Sequence, residues 1–368
     1  MSGLEITGID VYLCEDRDSV FADSTRTSDF VGFLVVVIKT NSDIEGIGFT
    51  YHDMCGLAIG TMIKDTIEPL LIGRDPLCNE DIWQYLYNYM YYYGRKGTAL
   101  YALSALDVAL WDIKGKVAGL PLYKLLGGSQ TKIPAYASGG WTSYTKDELV
   151  KEATNMVASG FKSIKIKVGV EGGTNINEDV RRVAAVRKAI GDDIDLFVDA
   201  NFVWKASDAI LFAKKAEQYD LGWFEEPVIA DDIEGLARVR NNTTIPIAAG
   251  ENEYTRYGAR DLVVGKAIDI YQPDPCYNGG ITEVLKMNAI AQAWNLKLAL
   301  HCVDFVTRHM ASAATNSLIV EHLLVWDGVI NKMFLNPPVI KNGMIEITDL
   351  PGLGLKLDMD YVSRIKVG

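Results

Sequence analysis

Eight short apolar runs, each with a polar residue at or beside its end, dominate the chain after Gly128. They fall at residues 133–138, 163–168, 195–200, 222–226, 246–250, 268–273, 296–301 and 318–321. Helical patterns such as 146–158, 177–190 and 207–219 separate most of them. Short β-like runs alternating with amphipathic segments predict parallel β/α units, and eight strands are the number that closes a barrel. An open doubly wound sheet is the competing arrangement. It would carry a Gly-x-Gly-x-x-Gly turn after its first strand, and none is found there. The expected fold class is α/β, a (β/α)7-8 barrel of the TIM type over residues 131–335.

Residues 1–130 have a different texture. Runs at 4–13, 31–39 and 44–50, with a turn at 40–43, predict a meander of three antiparallel strands. Helical patterns follow near 56–71, 79–92 and 98–118. In the last of these, Leu103, Leu106, Leu110, Ile113 and Val117 step by three and four, which places them on one face. Gly119 and Pro121 end it. Strands followed by helices predict a separate α+β unit. The segment 339–356 is β-like again, with Asn342-Gly343 as a hairpin turn. The tail 336–368 is expected to leave the barrel and return to this N-terminal unit.

The chain carries 36 Lys+Arg against 48 Asp+Glu, a formal net charge of −12. That argues against a sequence-independent nucleic-acid binder, which needs a basic face. An anionic substrate stays open, because a bound metal inverts the local sign. Cys14, Cys55, Cys78, Cys276 and Cys302 are odd in number and contain no Cys-x-x-Cys pair, so reduced thiols in a cytoplasmic protein are expected. The N-terminal MSGLEITGID lacks the basic and apolar regions of a signal peptide. The most apolar stretch, 30–38, falls short of the ~20 residues a spanning helix needs. Neither membrane nor nucleic acid is an expected partner.

The chemistry is expected at the strand ends. In a parallel barrel the carboxyl ends of the strands converge on one mouth. Asp199 and Glu225 are 26 residues apart, and Glu225 and Glu251 another 26, about one β/α unit each. Three carboxylates in equivalent positions on neighbouring strands repel one another unless a cation binds, and oxygen ligands favour a hard ion such as Mg2+. In residues 163–168 (SIKIKV), Ile164 and Ile166 share one strand face, with Lys165 and Lys167 on the other. In a barrel that second face is the interior, where a lysine beside other cations can act as a base. His301 closes the seventh run, and Asp274 lies at the end of the sixth. An acid bonded to one imidazole nitrogen orients the ring and raises its basicity. His52, His309 and His322 lack such a context and are expected to be structural or at the surface.

In this order the strand-end residues resemble the mandelate racemase subgroup of the enolase superfamily. The marks are the segment 105–128 (ALDVALWDIKGKVAGLPLYKLLGG), Lys165-Ile166-Lys167, Asp199-Ala200-Asn201, Glu225-Glu226-Pro227, Gly250-Glu251-Asn252, Asp274 with Gly279-Gly280, His301 and Glu321. The resemblance covers nearly the whole chain, and it implies that residues 1–130 form a capping domain over the barrel, completed by the C-terminal tail. It implies that Asp199, Glu225 and Glu251 hold a Mg2+ ion in each subunit. Lys167 is then a base on one face of the substrate, and His301, paired with Asp274, the acid/base on the other. Lys165 neutralises the substrate carboxylate, Glu321 donates to the enolate oxygen, and Asn201 is placed among the substrate-binding residues. The implied activity is removal of a proton α to a carboxylate. Dehydration of a sugar acid to a 2-keto-3-deoxy acid is the favoured outcome, with racemase, epimerase or lactone cycloisomerase as the alternative. A Schiff-base lysine aldolase is more remote, since it would not need three metal carboxylates. The resemblance also points to a homo-oligomer.

The loop 15–28 (EDRDSVFADSTRTS) is rich in hydrogen-bonding groups, among them Arg17 and Arg26. In this family such a loop covers the pocket, and a polyhydroxylated substrate suits its polarity. The aromatic run 85–93 is expected to serve helix packing or an interface.

Overall fold

The first connection of the chain places a small hairpin between two long strands. β1 (Ile6–Asp16) is followed by β2 (Phe21–Ala22) and β3 (Thr27–Ser28), then by β4 (Val31–Thr40) and β5 (Gly46–Tyr51). The structure, a computed structural model, describes residues 3–52 and 54–367. β1, β4 and β5 form the expected antiparallel sheet in that order. The near-continuous apolar run of β4 has a simple cause: both of its faces are covered. Leu34, Val36 and Ile38 join the helical core of the cap, while Val31, Phe33, Val35 and Val37 join the core shared with the barrel.

The helix Thr98–Ala118 packs across this sheet. Contact is close because β5 carries glycine at the crossing. A Cβ on Gly48 would lie 1.9 Å from the Ala105 carbonyl oxygen, and one on Gly46 would lie 2.2 Å from that of Ala109. Leu103, Leu106, Leu110 and Ile113 are buried as the periodicity predicts, but Val117, on the final turn, is 42% exposed. Polar residues of the same helix are buried too, and they tie the cap to the barrel. Ser104 Oγ accepts from Gly279 N at 2.9 Å, and Asp107 accepts from Thr282 N at 2.8 Å and Thr282 Oγ1 at 2.6 Å. Asp112 accepts from Ile47 N at 2.9 Å and Leu353 N at 2.8 Å. Buried carboxylates are tolerated because these donors satisfy them.

All eight expected runs form strands: β6 (Lys132–Gly139), β7 (Ser163–Lys167), β8 (Asp195–Asp199), β9 (Leu221–Glu225), β10 (Ile247–Ala249), β11 (Ile270–Tyr271), β12 (Lys297–Leu300) and β13 (Ser317–Leu323). Neighbours pair in chain order and in parallel, and β13 pairs with β6 to close the barrel. One interior layer is a hydrophobic plug of Tyr136, Phe197, Trp223, Ala248, Ile270, Ala299 and Ile319. Phe197 and Trp223 stack within it at 3.4 Å between ring centroids. The plug makes the barrel a packed core with a floor rather than a pore.

The tail begins with β14 (Val339–Lys341) and β15 (Met344–Glu346). Asn342 and Gly343, at φ 52° and 67°, supply the two left-handed residues of the expected tight turn. The hairpin does not go straight to the cap. β15 pairs antiparallel with residues 132–134 of β6, the part of that strand that projects before its barrel pairing with β13 starts at Ala135. An unpaired edge is thereby covered. The chain then crosses to the cap. Gly352 exchanges backbone hydrogen bonds with Leu120 and Leu122, and Val367 N donates to Leu13 O at 2.8 Å.

Candidate active site

Strand periodicity carries the plug upward into the mouth. Two residues beyond Phe197, Trp223, Ala299 and Ile319 come Asp199, Glu225, His301 and Glu321, so these side chains repeat the inward direction one layer higher. Lys165 is level with Phe197 in the β7–β8 register, and Lys167 is level with Asp199. Lys165 therefore stands in the plug layer and is fully buried. Lys167 reaches the cavity above. Ile164 and Ile166, on the other face of β7, are buried in the core outside the barrel.

The two lysines sit among the carboxylates. Lys165 Nζ is 2.5 Å from Glu225 Oε1, 2.9 Å from Glu321 Oε1 and 3.7 Å from Asp199 Oδ2. Lys167 Nζ bonds Asp199 Oδ2. Glu225 Oε2 accepts from Trp223 Nε1 at 2.9 Å and Gln272 Nε2 at 2.7 Å. Asp199 Oδ1 accepts from Asn201 N at 2.8 Å. Burial works against the charge of Lys165, but Glu225 and Glu321 outweigh it and hold the amine protonated, well above its ordinary range. Lys167 is raised likewise, with Asp199 outweighing burial. Burial pushes Glu225 up to about 8, with Asp199, Glu321 and Glu251 adding to the rise against Lys165.

His301 is held on both nitrogens. Nδ1 is 2.8 Å from Asp274 Oδ2, and Nε2 is 3.0 Å from Glu251 Oε2. Asp274 is itself fixed: its Oδ1 accepts from Cys276 N at 2.6 Å, and its backbone N donates to Asn278 Oδ1 at 2.6 Å. Burial opposes a charge on His301, and Cys302, Glu251, Glu321 and Asp274 outweigh it, so the imidazole stays protonated well above its usual range. Tyr51, the last residue of β5, donates its hydroxyl to Asp274 Oδ2. No local pattern marked Tyr51, because it meets Asp274 only through the docking of cap on barrel.

Lys167, Asn201, Glu251, His301 and Glu321 line one cavity of about 280 Å3. The β2–β3 hairpin roofs it with Phe21, Asp23, Thr25 and Arg26. Ser24 Oγ anchors that hairpin to Ala200 O at 2.5 Å, and Thr142 Oγ1 bonds Asp23 O at 2.5 Å. Arg17 does not reach the cavity. Its guanidinium lies 2.5 Å from Glu15 and over the Phe30 ring, and its side chain is 63% exposed. The loop turns at residues 17–18 before the hairpin starts, which leaves Arg17 outside. The remaining histidines are not at the surface. His52 and His309 are buried, and His322 is clamped at 2.7 Å by Asp304 and 3.2 Å by Asp327.

Sequence reasoning also passed over Glu226, which is buried and takes two hydrogen bonds from Asn252 Nδ2, at 2.9 and 2.7 Å. Non-glycine residues at positive φ gather at the same rim: Asn201 at 40°, Phe202 at 56°, Glu226 at 39°, Cys302 at 43° and Val303 at 38°. Strain of this kind persists where surrounding contacts over-determine it, and it concentrates at functional sites.

The donor set fits a hard cation. Asp199 and Glu225 end adjacent strands, and Glu251 follows the next. They offer only oxygen, and Asp199 and Glu251 add to the rise that burial gives the Glu225 carboxyl. Glu251 Oε2 is buried and, apart from its ion pair with His301 Nε2, has no hydrogen bond, which leaves it able to face an ion.

Residues 9–127 match the Mandelate racemase / muconate lactonizing enzyme, N-terminal domain, and residues 148–361 match the Enolase C-terminal domain-like family. The chain belongs to the mandelate racemase/muconate lactonizing enzyme family. Within this family it is 35% identical over 336 residues to the 3,6-anhydro-alpha-L-galactonate cycloisomerase of Streptomyces coelicolor, covering 91% of each chain. It is 37% identical to the L-talarate/galactarate dehydratase of Salmonella typhimurium, covering 89% of this chain and 81% of that one. A magnesium-bound crystal structure of a Streptomyces coelicolor A3(2) racemase superposes with a TM-score of 0.92 at 34% identity, covering 98% of this chain and 100% of that one. The family scaffold is therefore shared by proteins named for three different reactions.

Proposed function

We propose that this enzyme removes a proton α to the carboxylate of a sugar acid, with Mg2+ held by Asp199, Glu225 and Glu251, and completes a dehydration to a 2-keto-3-deoxy acid. The observation that carries the reading is that Lys167 and His301 line one cavity from different strands, with the three carboxylates on the arc of strands between them. When bound, Mg2+ supplies positive charge beside the substrate carboxylate and takes up the Asp199 carboxylate that otherwise keeps Lys167 protonated. Lys165, buried and charged, faces the same negative charge as it develops, and Glu321 adds a polar contact from β13. Lys167 Nζ takes the α-proton. His301, already protonated and steadied by Asp274, gives its Nε2 proton to the leaving β-hydroxyl. The electron pair of the broken C–H bond becomes the new double bond, water departs, and the enol tautomerises to the keto acid. Arg26, Asp23, Thr25 and Asn201 offer donors and acceptors to the hydroxylated part of the substrate.

The dehydratase relative at 37% identity supports this reading. The cycloisomerase relative supports the second one, in which the same two groups move protons without loss of water. A panel of aldonates and aldarates, incubated with Mg2+-loaded enzyme and semicarbazide, separates them. Trapped 2-keto acid is the expected result. Exchange of the α-hydrogen with solvent deuterium and no keto acid would assign the isomerase reaction instead.

Unpaired cysteines among the described residues support a cytoplasmic enzyme. Exposed Tyr91, Tyr92 and Tyr93 beside Tyr257 support a homo-oligomer, which sedimentation velocity tests. Among the described residues no helix is long and apolar enough to cross a membrane.

A further inference from the structure

On the β12–β13 side of the cavity, three atoms of different chemistry form a compact triangle. His301 Nε2 and Cys302 Sγ are 3.3 Å apart, Cys302 Sγ and Glu321 Oε2 3.4 Å, and His301 Nε2 and Glu321 Oε2 3.6 Å. We propose that these three residues are a second metal site, selective for a thiophilic divalent ion such as Zn2+, through which that ion arrests the enzyme.

The size of the triangle is the first argument. Tetrahedral zinc binds nitrogen and oxygen at roughly 2.0–2.2 Å and sulfur at about 2.3 Å, which spaces its ligand atoms about 3.3–3.6 Å apart. All three edges fall in that interval, so an ion needs little rearrangement of side chains. The donor set is the second. One imidazole, one thiol and one carboxylate suit Zn2+ and are poor for Mg2+, which keeps to oxygen. The donor set therefore differs from that of the three carboxylates, although the two sites adjoin: Glu251 Oε2 lies 3.0 Å from the same His301 Nε2.

Supporting contacts are the third argument. Asp274 holds His301 Nδ1, the carboxylate–histidine arrangement that steadies ligating imidazoles. Lys165 occupies Glu321 Oε1 at 2.9 Å, which leaves Oε2 to the triangle. The backbone N of Cys302 donates to that Oε2 at 3.1 Å and fixes its position. All three residues line the cavity, so the fourth coordination position opens onto it. Binding releases the Cys302 thiol proton and the His301 Nε2 proton to solvent and involves no redox step.

Cys302 has no part in the proposed proton transfers, and a thiol there needs another explanation. An ion on His301 Nε2 removes the proton that this residue delivers. The arrest rests on the acid/base reading of His301, whereas the binding site does not. Mg2+-saturated enzyme titrated with Co2+ as the spectroscopic probe tests the site directly. The expected result is a thiolate-to-cobalt charge-transfer band that saturates at one equivalent and is missing in both Cys302→Ser and Cys302→Ala. Absence of the band in the wild type, or its survival in a folded variant through another thiol such as the exposed Cys78, overturns the site. With a substrate in hand, Zn2+ should inhibit the wild type at concentrations roughly tenfold or more below those needed for Cys302→Ala, each scaled to its own activity. Equal sensitivity overturns the arrest while leaving the proposed reaction intact.

Discussion

Tyr51, the last residue of a cap strand, donates its hydroxyl to Asp274 Oδ2, the same carboxylate oxygen that lies 2.8 Å from His301 Nδ1. The barrel's acid/base dyad is thus completed from the other domain. Tyr51→Phe should lower kcat by roughly tenfold or more, the scale of a lost hydrogen bond to a charged group, with a smaller change in KM. The alkaline limb of the kcat profile should move to higher pH with it, because Asp274, freed of the Tyr51 donor, becomes a stronger acceptor for the imidazolium. Steady-state kinetics across pH check both.

Lys167 and His301 carry the proton transfers. Lys167→Ala and His301→Asn should each cost about 10²–10⁴ in kcat, the usual range for general acid–base groups. NMR in deuterated solvent adds a second readout: Lys167→Ala should stop incorporation at the α-carbon, whereas His301→Asn should retain some exchange without forming product.

Chelation should abolish activity, and Mg2+ should restore it. The ion should also raise Tm, since a ligand at a hundred times its Kd adds about 2.7 kcal/mol to the folded state. Asp199→Asn and Glu251→Gln should each shrink the Mg2+-dependent Tm rise. Differential scanning fluorimetry measures this without any substrate.

The two arginines of the roof loop make a paired control. Arg26 lines the cavity, and Arg17 lies outside it against Glu15. Arg26→Ala should raise KM for the sugar acid severalfold, while Arg17→Ala should leave both kcat and KM close to those of the wild type.

His322 supplies a pH dependence of stability. Burial works against its charge, but Asp304 and Asp327 outweigh it and raise the imidazole from 6.5 to about 10. The folded state therefore binds this proton more tightly than the unfolded chain. Its stabilisation is fully present below about pH 6.5 and is lost as pH rises through about 10, at no more than about 1.4 kcal/mol per unit. The stability gap between wild type and His322→Gln, measured by urea denaturation, should be wide at pH 6 and narrow at pH 10.

The barrel was legible because its evidence is local and repeated. Eight apolar runs recur about once per β/α unit, and Asp199, Glu225 and Glu251 recur every 26 residues. The alternation in SIKIKV places Lys165 and Lys167 on one face by strand geometry alone. Other features carried no such signal. Nothing near residue 51 marks a partner for Asp274, and nothing in the loop 15–28 distinguishes Arg26, above the cavity, from Arg17, beside it. Nor does the sequence around residue 322 show that Asp304 and Asp327 enclose its histidine.

The sequence by itself determined the periodic part of this protein: which residues form strands, which of their side chains point inward, and which carboxylates end neighbouring strands. Periodicity of two within a strand and one β/α unit between strands are properties of the backbone, readable from order alone. Only the tertiary structure decided what meets across the mouth: Tyr51 with Asp274, the β2–β3 roof with the loop after β8, and Cys302 with both His301 and Glu321. Those contacts depend on how closed strands and a docked cap bring distant segments within hydrogen-bonding range. Sequence separation carries no information about that distance until the barrel has closed.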